Sequence, residues 1–91
     1  MNETTTRNIW QEVCQLLTLK DTGLTAAHLQ EIEEEAENVL DLLTVLRTDT
    51  YRADADSAQE TAAELTIALE HLQSHIQALL PTLQKQLGLE P

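Results

Sequence analysis

Apolar side chains recur along this chain at steps of three and four residues, the period of helices that lie against one another. Ile9, Trp10, Val13, Leu16 and Leu17 form the first series. Leu29, Ile32, Ala36, Val39, Leu43 and Leu46 form the second, and Ala58, Ala62, Leu65, Leu69, Leu72, Ile76, Leu79 and Leu83 the third. The spacing predicts helices over about 6–20, 26–49 and 57–87. Thr5 or Thr6 is placed to cap the first helix, Thr25 the second and Ser57 the third, with Glu60 completing a capping box. Gly23 and Gly88 are read as stops, since glycine enters the left-handed region at little cost. Pro81 lacks a backbone N–H and is expected to kink or break the last helix.

The second and third series are heptad-like, which favours shallow packing angles. Two long helices joined by a short connection fold back on each other. The expected fold is therefore all-α: a three-helix bundle built on a long antiparallel helical hairpin with a shorter N-terminal helix. The whole of 1–91 reads as a single helical domain. The first helix should lie against the start of the second, its own start opposite about residue 40. That leaves one end of the hairpin two helices thick, with Leu42, Val45 and Leu46 pointing away from the hairpin's contact. An uncovered apolar patch marks an interface, so these three residues are the expected self-association surface of a homodimer. The alternative is that residues 1–8 fold back over the patch.

Composition supports the helical reading. Phe is absent, Trp and Tyr occur once each, and Gly and Pro number two each. Cys14 is the only cysteine, so no internal disulfide forms. Its place beside Val13 and Leu16 suits a small buried apolar group better than a nucleophile. No apolar run reaches the ~18 residues of a membrane span, and no secretory pattern opens the sequence. A cytoplasmic protein is expected.

Charge changes the picture most. The formal net charge is −11. Residues 31–70 hold twelve carboxylates against Arg47 and Arg52. Such a surface repels nucleic acid and anionic lipid, so direct binding to either is not expected. Glu31, Glu33, Glu34, Glu35, Glu37 and Asp41 are the expected acidic face for a protein partner. Most charge runs only keep a protein solvated. The sharper alternative is an acidic mimic of nucleic acid that inhibits a DNA- or RNA-binding enzyme, as an anti-defence protein would.

Catalytic chemistry finds little support. Glycine-rich phosphate loops are missing, and a bundle this small has little room for a concave substrate pocket. His71 and His75 are one turn apart, with Glu60 and Glu64 near the same stripe, so a metal pair is geometrically conceivable. Four matching ligands are not visible, and His28 reads as a boundary residue. The sequence thus points to a non-enzymatic interaction protein, with no cofactor and no metal assigned.

Overall fold

The structure is a computed structural model that describes residues 8–20 and 22–89. Three helices follow in order: α1 (Ile9–Leu16), α2 (Thr22–Tyr51) and α3 (Ala55–Gln86). They form an all-α three-helix bundle, in which α2 and α3 make the long antiparallel hairpin and α1 lies against α2. Among the described residues, no helix is long and apolar enough to cross a membrane.

Helix ends explain most of the boundaries. Asn8 caps α1, its side chain accepting from the Trp10 backbone N–H at 2.9 Å. The caps expected at Thr5 or Thr6 lie outside the described residues. Asp54 caps α3 by accepting from the Ser57 N–H at 3.1 Å, so α3 begins before the expected Ser57 cap. All three helices end in the same paired pattern. The Thr18 N–H donates to Gln15 O and the Leu19 N–H to Cys14 O. Ala53 and Asp54 repeat this at Thr50 and Asp49, and Gly88 and Leu89 repeat it at Lys85 and Gln84. The motif needs a residue at positive φ, and Thr18 (53°), Ala53 (54°) and Gly88 (70°) supply it. Gly23 was expected in this role and instead lies inside the first turn of α2, as does the expected cap Thr25. α1 is consequently shorter than expected, and α2 begins earlier.

The hairpin's register follows from its cross-links. Asp49 meets Ser57 and Thr61, Glu35 lies near His71, and Glu31 near His75, so one helix ascends as the other descends. Facing positions repeat every seven residues. Ile32, Val39 and Leu46 on α2 and, in the opposite order along the hairpin, Leu79, Leu72 and Leu65 on α3 are all buried or half-buried. The companion positions differ from the expected ones by one residue. Leu42, Thr61, Ala68 and His75 are the less exposed, whereas Leu43, Leu69 and Ile76 stay substantially exposed. Two causes act together. Thr61 and Ala68 are small and allow the helices to approach closely. Asp49 is only 6% exposed, so its carboxylate requires donors, and Ser57 and Thr61 supply them. The hairpin therefore closes toward its polar positions and turns its second apolar stripe outward.

α1 is anchored at the other end. Cys14, Leu19 and Ala26 are buried together, with Trp10, Leu29 and Leu83 packed around them. The Trp10 indole N–H donates to Glu33 at 2.9 Å and the Asn8 amide to Gln30 at 3.3 Å. The Lys20 N–H donates to the Gln86 side chain, tying the α1–α2 turn to the end of α3. The start of α1 thus sits opposite Gln30 and Glu33, not residue 40. Pro81 does not end α3, which continues to Gln86.

Candidate functional site

Two sides of the hairpin carry different chemistry. On the first, Ile32 of α2 and Ile76, Leu79, Leu80 and Leu83 of α3 line one wholly apolar cleft of about 190 Å³. Helical spacing extends this cleft toward the two-helix end. Leu43 lies eleven residues beyond Ile32, three turns plus about 20°. Leu69 lies seven residues before Ile76, again within about 20° of the same line. Leu40, Leu43, Leu69, Ile76 and Leu80 are each between 40% and 63% exposed. On α3 the same line carries Ala62 and Thr66 before Leu69 and Gln73 between Leu69 and Ile76, so this stripe of α3 carries no charge. α1 covers only the part of this side near Ala26, Leu29 and Glu33.

The expected self-association residues divide between the hairpin contact and the exposed surface. Leu42 and Leu46 are half-buried, on the line that leads seven and three residues later, respectively, to buried Asp49, and so belong to the hairpin contact. They do not point away from it. Val45 is exposed. Leu43, which the sequence pattern assigned to the contact, is the exposed neighbour instead.

The six acidic residues do not share a face. Glu31 and Glu35 lie on the histidine side, against His75 and His71. Glu33 accepts from Trp10 on the α1 side. Glu34, Glu37 and Asp41 form an outward stripe at spacings of three and four, where Glu34 also accepts from Gln30. The i, i+4 chemistry of a helix surface, rather than a continuous carboxylate sheet, governs this region.

The second side gathers residues that the sequence did not associate. His28 Nδ1 lies 3.6 Å from Glu31 Oε1, and His75 Nδ1 lies 3.4 Å from the same oxygen. The His28 and His75 rings stand 6.1 Å apart, tilted by 56°. His28 Nδ1 is buried and has no hydrogen-bond partner among the described residues. One ligand atom from each of His28, Glu31 and His75 falls within 4.8 Å of the other two. The pair singled out by spacing, His71 and His75, is not the one brought together. His71 turns to Glu35 at 3.7 Å and is largely exposed, and Glu60 and Glu64 are exposed positions of α3. The readable signal was the His28-x-x-Glu31 step, which sets both on one side of α2. It becomes a cluster only through the cross-hairpin register.

Cys14 is fully buried in the α1–α2 core, among Leu19, Ala26, Trp10, Leu29 and Leu83. A polar recess lined by Thr18, Lys20, Thr82, Lys85 and Gln86 lies at the end of the hairpin that bears the α1–α2 turn. No protein-family model matches this chain, and no curated protein or solved structure matches it.

Proposed function

We propose that this protein is a non-enzymatic interaction module that pairs with a second copy of itself through the uncovered apolar side of the hairpin and presents an acidic exterior to a protein partner. The observation that carries this reading is the exposed stripe of Leu40, Leu43, Leu69, Ile76 and Leu80. Only Cys14, Leu19, Ala26, Ala68 and Leu79 are buried apolar residues among those described, a small core for a chain of this length. Burying the remaining half of a Leu or Ile side chain is worth about 1 kcal/mol, so five from each copy give roughly 10 kcal/mol. That gain is of the same order as the 4–15 kcal/mol cost of association, so the pairing it drives is weak and depends on protein concentration. The uncharged stripe on α3 lets two acidic chains meet without opposing carboxylates. Cytoplasmic residence, which keeps Cys14 reduced, belongs to the same reading.

Sedimentation velocity from 1 to 200 µM tests the pairing. The expected result is a monomer–dimer transition that Leu43→Lys with Leu69→Lys abolishes while the helical circular dichroism is retained. A wild-type protein that stays monomeric throughout that range rejects the proposal.

The outward stripe of Glu34, Glu37 and Asp41 supports a second reading, the acidic inhibitor that occupies the basic groove of a nucleic-acid enzyme. Binding of that kind weakens steeply with salt and is lost on reversing those three charges. A partner held through the apolar side shows neither behaviour.

A further inference from the structure

Two imidazoles and a carboxylate converge from both helices of the hairpin, and one imidazole nitrogen there is buried without a partner. We propose that His28, Glu31 and His75 form a binding site for a divalent transition metal of the zinc class, clasping α2 to α3.

Donor chemistry selects the ion. Imidazole nitrogens suit zinc, cobalt, nickel and copper, while calcium and magnesium prefer all-oxygen sets. Geometry agrees. With metal–ligand bonds of about 2.0–2.1 Å, the ligand atoms of a tetrahedral site lie roughly 3.3–3.4 Å apart. Glu31 Oε1 lies 3.4 Å from His75 Nδ1 and 3.6 Å from His28 Nδ1, close to those edges. The remaining edge, between the two imidazoles, lies within 4.8 Å and would tighten by rotation of the side chains on binding.

The orphaned nitrogen strengthens the case. Burying an imidazole nitrogen without a partner costs free energy, and 3.6 Å is too long for a hydrogen bond to Glu31. A coordinated ion satisfies that lone pair directly. The side chains of His28 and His75 are 23% and 28% exposed, so an ion can enter from solvent. Glu35, one turn along α2 from Glu31, adds negative potential on the same side and is itself set against His71. Three protein ligands leave the fourth position to water. His28 and Glu31 belong to α2 and His75 to α3, so the ion would bridge the helices at the level where α1 packs. This inference does not depend on self-association.

Chelator-treated full-length chain, titrated with zinc chloride at pH 7.5 by calorimetry and followed in thermal melts, provides the test. The expected result is one zinc per chain, and a midpoint raised on the order of 10 °C when free zinc exceeds the dissociation constant about a hundredfold. His75→Ala and His28→Gln should each remove the effect, whereas His71→Ala should keep it. Cobalt substitution should give the intense visible absorption of a four-coordinate ion. Unchanged wild-type melting with zinc overturns the proposal. So does a His75→Ala protein stabilised as much as wild type, or loss of the effect in His71→Ala. An ion pair between a histidine and Glu31, with no metal site, would leave the zinc titration flat.

Discussion

Replacing Asp49 with alanine removes the acceptor shared by Ser57 and Thr61, the hydroxyls that lie 2.8 and 2.9 Å from its two carboxylate oxygens. A hydrogen bond to a charged group contributes about 1.5–3 kcal/mol, so the two give an upper figure of roughly 3–6 kcal/mol. Two compensations lower it. Ser57 is part-buried and regains water. Thr61 can turn to the carbonyl four residues earlier, as Thr44, Thr48, Thr50 and Thr66 already do. The expected loss for Asp49→Ala is therefore about 2–3 kcal/mol, or roughly 10–20 °C in melting midpoint for a domain of this size. Thr61→Val should cost about 1 kcal/mol, since volume is kept and one bond is lost. The two changes share a bond, so the double variant should fall short of additivity by about 1 kcal/mol. Urea unfolding followed by circular dichroism, at one fixed protein concentration, measures all four proteins. An Asp49→Ala loss below about 0.5 kcal/mol, or strict additivity, would refute the claim that this carboxylate sets the hairpin's rotation.

Ala53 and Pro81 give stabilising predictions. Ala53→Gly relieves a left-handed φ of 54° and should raise stability by about 0.5–1 kcal/mol, read in the same urea assay; a loss would show that the turn is not strained as drawn. Pro81→Ala restores a donor inside α3 and should raise the melting midpoint by several degrees, because Leu83 and Gln86 beyond it are tied to the α1 end. No change would mean that the last turn already unfolds independently of the rest.

The three helices were legible because their apolar residues keep strict steps of three and four over many turns. Their ends were less so, for a reason located at Thr18 and Ala53. Both occupy the left-handed position that closes a helix, and neither residue type advertises it. Gly88 does, and the end of α3 was accordingly read within a residue. Gly23 misled because glycine can also sit in a first helical turn. Pro81 left a kink or a break open, and the helix runs on past it to Gln86, with Leu83 and Gln86 tied to the α1 end.

The candidate sites depended on a choice that the sequence left open. Each long helix offers, beside one central apolar position per heptad, two adjacent candidates for the next contact. One candidate series is, apart from Leu42, polar or small: His28, Glu35, Leu42 and Asp49 on α2, then Thr61, Ala68 and His75 on α3. The other is apolar: Leu29, Ala36 and Leu43, then Ala62, Leu69 and Ile76. Hydrophobicity alone selects the apolar series, and that was the expectation. The hairpin selects the polar one, because the Asp49 carboxylate takes donors from Ser57 and Thr61 there and the small residues permit close approach. Both functional proposals are consequences of that rotation. It brings His28 to His75 and makes the Glu31 cluster, and it leaves Leu43, Leu69 and Ile76 facing out. Three apolar or contact-making positions per heptad are more than a two-helix hairpin can bury, and are the pattern of a helix with neighbours on two sides. α1 serves as the second neighbour only as far as Glu33, so beyond that point the stripe is the part of the sequence that a second copy would complete.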